Sequence, residues 1–154
     1  MVHAGDSLSP GRRLTYILVL GALTALGPFT VDMYLPAFPA VEAEFGSSTA
    51  TVQLTLAATM IGFALGQLIV GPWSDRVGRR MPLILATSVH VAASLAVALS
   101  PTIEWLIALR VLQGLGAAAG AVVAMAVVRD LFTGVPTVRM LSRLAPVSGL
   151  APVV

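Results

Sequence analysis

The chain has 154 residues, of which 57% are hydrophobic and 10% charged. Soluble domains carry about 25% charged residues, and a soluble chain of this balance would expose apolar patches large enough to precipitate it. The sequence is therefore read as an integral membrane protein. The formal net charge of +2 rests on nine basic residues, all of them arginine, and the absence of cysteine excludes disulfides, thiolate metal sites and cysteine nucleophiles.

Taken from the N-terminus, residues 1–13 hold Ser7, Ser9, Pro10 and Gly11 and read as a short tail on the cytoplasmic side. A helix needs about 20 predominantly apolar residues to cross the hydrocarbon. Four stretches meet that requirement, at about 14–35, 49–71, 82–100 and 103–128, and a fifth, 138–154, is incomplete. Arg12 and Arg13 before an apolar run resemble the start of a signal peptide, but the run continues well past Leu26 and further spans follow. The runs are too long for barrel strands and lack their period-two alternation. The predicted fold class is an all-α transmembrane helix bundle.

Orientation follows from the arginines, since positive residues stay on the cytoplasmic side. Arg12 and Arg13 precede the first span, Arg76, Arg79 and Arg80 join the second to the third, and Arg129, Arg139 and Arg143 flank the passage from the fourth to the fifth. All of these fall on one face of a zigzag chain, with the N-terminus inside, while Glu42, Glu44 and Glu104 occupy the opposite loops. These arginines are engaged at the membrane surface, so no basic stripe remains for nucleic acid.

The inner loop between spans two and three, GPWSDRVGRR, carries the most specific signal. Gly71-Pro72 is expected to end the second span, because proline lacks an N–H and clashes with the preceding turn, and Gly78 to allow a sharp turn. Gly62, Gly71, Asp75, Arg76, Gly78, Arg79 and Arg80 together read G-x8-G-x3-D-R-x-G-R-R. That pattern resembles the signature of the major facilitator superfamily, at its place between the second and third helices. Arg110, Gln113, Gly114 and Gly116 resemble the R-x-x-Q-G motif of its proton-coupled members. VDMYLPAFP, from Val31 to Pro39, is similar to the first-helix end of drug:proton antiporters, and FALGQLIVGPWSD and VVRDLF point to the bicyclomycin-resistance (Bcr/CflA) branch.

The resemblance implies the N-terminal part of a twelve-helix, two-halved transporter that exchanges drugs for protons across the inner membrane by alternating access. Without the second half of the cavity, this portion is expected to be inactive alone. It implies protons and a small drug-like molecule as partners, a lipid bilayer as surroundings, and no cofactor. It also implies that the inner-loop motif acts as a gate. Asp75 and Arg79 are spaced to pair if the turn is helical, a weak tie that suits a gate, whereas Arg129-Asp130 reads as solvated charge.

Asp32 and Arg110 are the two ionisable residues well inside apolar spans. A charge at the bilayer centre costs at least ~2.5–3.5 kcal/mol, so such residues face a bundle interior or a water-filled cavity. Their similar depth allows a pair across the bundle. Asp32 is the candidate proton carrier and Arg110 its tuner, because a carboxylate holds its proton more tightly when buried and less tightly beside a guanidinium. The simpler role for Asp32 is to cap the helix near the interface. Gln113, close to Arg110 on the helix face, and Tyr34 are candidate cavity residues; an interhelical hydrogen bond is the alternative for Gln113.

Gly62 with Gly66, and Gly116 with Gly120, are G-x-x-x-G pairs that let helices approach closely and slide or rock. Gly27-Pro28 is expected to bend the first helix. His3 and His90 are too far apart for a metal site, and His90 reads as a hydrogen-bonded interior residue. No nucleophile–base pair or phosphate loop suggests an enzyme. The competing readings are an uptake or metabolite transporter of the same superfamily, and a non-transporting membrane scaffold.

Overall fold

The computed structural model describes residues 9–131, and the incomplete fifth span at 138–154, with Arg139 and Arg143, lies outside them. The described elements are helices α1 (Pro10–Asp32), α2 (Phe38–Phe45), α3 (Thr49–Val77), α4 (Arg80–Ala98) and α5 (Ile103–Leu131), with a 3-10 turn at Leu35–Ala37 between the first two. Four of the helical segments are long and apolar enough to cross a membrane.

The helix ends differ from the expected ones for identifiable reasons. α1 begins at Pro10 rather than near Leu14, since proline at the first helical position has its φ preset and loses no bond there. α1 runs unbroken through Pro28 to Asp32. The second span does not end at Gly71-Pro72: α3 continues through Pro72 to Val77. Pro72 deprives the Leu68 carbonyl of its helical donor, and both residues lie on the exposed flank of α3, where neighbouring helices are not disturbed. The chain turns instead at Gly78, whose φ of +86° belongs to glycine. α2 is a helix the apolar pattern did not reveal. Pro39 in its first turn and Gly46 just past its end, at φ +57°, are the proline-then-glycine signature that marks it.

α5 is the centre of the bundle. It packs most extensively on α3, then on α4, then on α1, while α1 and α3 barely touch. Large apolar side chains such as Leu18, Leu68, Leu95 and Trp105 point outward, which is the arrangement lipid demands. Inward, the contacts are made by small residues: Ala117, Ala118, Ala119 and Ala124 of α5 are all at most 1% exposed. Leu20 of α1 closes on Ala124 and Val128 toward the C-terminal end of α5, and Val70 of α3 meets Ala86 of α4 and Ala119 and Val123 of α5.

Glycine sets how near the backbones come. A Cβ on Gly62 would overlap the Val111 carbonyl, and one on Gly114 would overlap the Thr59 carbonyl, so α3 and α5 cross backbone to backbone. Gly116 and Gly120, expected as one packing stripe, face different partners: Gly116 lies against Ala86 and His90 of α4, and Gly120 against Leu23 of α1. A four-residue step advances about 400° around a helix of 3.6 residues per turn, and the residual rotation of about 40° places the two on different neighbours of a central helix.

These contacts make a checkable contrast. Gly62→Val should destabilise the detergent-solubilised protein by about 1–3 kcal/mol or more, the cost of overpacking. Gly71→Ala, whose Cβ meets nothing nearer than Val122 at 3.9 Å, should be neutral or stabilising by up to about 1 kcal/mol, as expected of glycine to alanine in a helix. Thermal unfolding midpoints compare the two.

Candidate functional site

Arg110 sits seven residues into α5, about 10 Å from its Ile103 end at 1.5 Å per residue. It is 5% exposed. Its guanidinium carbon lies 3.4 Å from the centre of the Tyr34 ring, a cation–π contact that gains strength where water is excluded. Nη1 donates to Gln113 Oε1 at 2.9 Å, one turn along the same helix. Nε is buried and has no hydrogen-bond partner.

Tyr34 is held from two sides. Its hydroxyl lies 2.7 Å from Thr55 Oγ1 of α3. The Thr55 hydroxyl already donates to the Val52 carbonyl at 2.6 Å, so the tyrosine O–H is the donor. Phe38, the first residue of α2, packs edge-on against the ring with centroids 5.2 Å apart. The turn after α1 thus swings Tyr34 back over the bundle.

The expected pairing of Arg110 with Asp32 is not formed: among the described residues the ion pairs involve Arg79 alone. The Tyr34 ring occupies the face of the guanidinium, and Asp32, the last residue of α1, opens elsewhere. It is half-buried and lines a cleft of about 530 Å³ between α1 and α3, with Gly27, Pro28, Thr59, Phe63 and Gln67. Gly27 permits this junction, since a Cβ there would meet the Phe63 ring at 2.7 Å. Gln113 and Tyr34, expected on a substrate cavity, line neither this cleft nor the one beside Arg79. Both are buried supports of Arg110. His90 is hydrogen-bonded as expected, its Nδ1 donating to the Gln113 carbonyl at 2.9 Å.

The inner-loop motif resolves into a cluster around Arg79, which stands between α3 and α4. Its guanidinium donates through Nη1 to Asp75, through Nη1 to Ser74 Oγ at 2.9 Å, and through Nε and Nη2 to the two oxygens of Asp130 at 3.0 and 3.4 Å. The Asp75–Arg79 pair forms across the Gly78 turn and not along a helix. Asp130, read from sequence as solvated charge, is instead Arg79's fork-to-fork partner from the end of α5. The hydrogen bonds that Arg79 donates to Asp130, and then to Asp75, hold its guanidinium above its ordinary range. Ser74 was missed; its hydroxyl donates to the Gly71 carbonyl at 2.9 Å while accepting from Arg79. Arg76 and Arg80 are exposed. A cleft of about 420 Å³, with Gln67 and Met125 on its walls, opens beside this cluster.

The structure is thus a bundle of apolar helices long enough to span a membrane, with a buried arginine that meets no carboxylate and a charge cluster around Arg79 where α3, α4 and α5 end or begin. Comparison with known proteins agrees: residues 11–154 match the model of the Major Facilitator Superfamily, and the chain belongs to that family. It is 46% identical over 93% of its length to the uncharacterized MFS-type transporter YdgK of Bacillus subtilis, covering 36% of that protein. It is 40% identical over 77% of its length to a chloramphenicol resistance protein of Pseudomonas aeruginosa, covering 28% of it. With a bicyclomycin resistance protein homolog of Haemophilus influenzae it shares 37% identity over 90% of its length, covering 35% of that protein. The resemblance to the bicyclomycin-resistance branch stated from the motifs holds in these relatives. The chain spans about a third of the length of the curated relatives it matches.

The Arg79 cluster is exposed at its edges, with side chains of Arg79, Asp75 and Asp130 at 27%, 65% and 55% exposure. Its energy is therefore that of a surface network, about 0–1 kcal/mol per pair. Asp130→Asn should lower unfolding stability by less than about 1 kcal/mol at low salt, and by still less at high salt, read by thermal melts at two ionic strengths.

Proposed function

We propose that this chain is the N-terminal portion of a proton-coupled multidrug exporter of the inner membrane, with its N-terminus in the cytoplasm, and that it does not transport alone. The observation that carries this reading is the buried Arg110, balanced by a ring face and an amide but by no carboxylate, with its buried Nε–H without a partner. An unpaired buried charge is costly, and in a bilayer such a residue is a functional one.

Asp32 at the mouth of the α1–α3 cleft takes and releases the coupling proton. Arg110 rests on Tyr34 while Asp32 is protonated and is drawn toward the carboxylate once the proton leaves, so proton and drug compete for one balance of charge. The drug-resistance relatives support a small drug-like substrate. The cluster at Arg79 latches the inner ends, weakly enough to open in each cycle. The superfamily is one of transporters, which supports transport over catalysis.

The test uses the complete reading frame that contains this chain, expressed in a drug-hypersensitive bacterial strain. Drug depletion should follow the proton gradient and vanish when an uncoupler collapses it. Asp32→Asn should abolish gradient-driven depletion while leaving the protein folded. Arg110→Lys should impair it strongly, since lysine lacks the planar fork of donors. The 154-residue chain alone should confer no resistance. Gradient-driven depletion surviving in Asp32→Asn, or accumulation in place of depletion, would overturn the reading, the latter in favour of an uptake transporter.

A further inference from the structure

The polar groups around Arg110 continue as one directional chain onto α4, away from the α1–α3 cleft. Gln113 Nε2 donates to Ser94 Oγ at 2.8 Å, and the Ser94 hydroxyl donates to the His90 carbonyl at 2.7 Å. With its only hydrogen committed to that carbonyl, the serine oxygen can only accept here. It must therefore meet the amide nitrogen of Gln113, which turns Oε1 toward Arg110. The same glutamine is gripped at its main chain, where His90 Nδ1 donates to the Gln113 carbonyl at 2.9 Å. Gly116 makes the double grip possible, because a Cβ there would stand 2.6 Å from the Ala86 carbonyl and the His90 amide nitrogen.

Arg110 is thereby constrained on its ring face by Tyr34 and at Nη1 by Gln113, and Nε is the buried donor left over. We infer that Ser94 is a positioning residue: through Gln113 it fixes which edge of the Arg110 guanidinium is offered to an incoming acceptor. The inference rests on the reading of Arg110 as a working group of the cavity, but its test does not require transport. Chains of hydrogen bonds polarised in one direction reinforce one another. Without the serine oxygen the buried amide N–H would lack a partner, which favours rotation of the glutamine. Nη1 then loses its acceptor and the guanidinium leaves the tyrosine ring.

The complete protein containing this chain, in nanodiscs of zwitterionic lipid, is treated with limiting phenylglyoxal. Adducts at Arg110 and at Arg79, the internal reference, are quantified by peptide mass spectrometry. Ser94→Ala should raise the Arg110 rate relative to Arg79 by about fivefold to tenfold, the shift one hydrogen bond commands. Ser94→Thr, which keeps the acceptor, should remain near the native rate. A packing role predicts the reverse order, since threonine is the larger disturbance at a tight α4–α5 contact. Gln113→Leu should match Ser94→Ala. If Ser94→Ala does not yield folded protein, Ser94→Cys, a weaker acceptor, replaces it under the same criteria. An unchanged Arg110 rate in the serine variant, or equal exposure in the threonine variant, overturns the inference. If drug export requires Asp32 while Arg110 protection ignores Ser94, only this inference fails; if protection follows Ser94 while export ignores Asp32, only the functional reading does.

Discussion

The bundle depends on α5 presenting almost no side chain where it meets its neighbours. In lipid, apolar surface gains little by leaving the solvent, so helices associate through close packing and polar contacts. Gly114 brings α3 within backbone contact, Gly116 does the same for α4, and Gly120 for α1. The alanines between them complete a surface with few protrusions. Most bulky leucines and isoleucines face outward, Leu20 and Leu106 being buried exceptions, an arrangement that follows from the change of solvent.

That closeness is also what lets a charge reside inside. Arg110 is surrounded by groups drawn from every long helix or its flanking turn: Tyr34 after α1, Thr55 behind it on α3, Ser94 and His90 on α4, and Gln113 beside it on α5. Each supplies a dipole or a quadrupole and none supplies a countercharge. The guanidinium is accommodated without being neutralised, so its preference for a carboxylate stays available. Tighter neutralisation would make a structural ion pair.

Much of this was legible beforehand, and the misses have physical causes. Long apolar runs located the spanning helices, and the spacing of the inner-loop motif located its cluster. Helix ends were harder, because Gly71-Pro72 breaks a helix only where the lost bond matters, and on the exposed flank of α3 it does not. α2 is too short for a hydropathy signal. The reading of Asp32 with Arg110 weighed formal charges alone; the Tyr34 ring, two residues beyond Asp32, competes through its π face, which a charge count does not register. Asp130 was missed because it lies 51 residues from Arg79, and only the return of α5, antiparallel to α4 and so parallel to α3, brings it to the end of α3. Ser94 carried no motif at all.

The glycines of α5 do more than permit proximity, because they point three ways. A stripe of small residues on one side would leave a helix free to glide along one partner while the others stayed put. Here α5 meets the backbones of α3, α4 and α1 at once, at Gly114, Gly116 and Gly120 in turn. The four spanning helices are keyed together like the parts of a lock barrel. Both clefts have α3 and α5 on their walls, so the same keyed pair of helices shapes each of them.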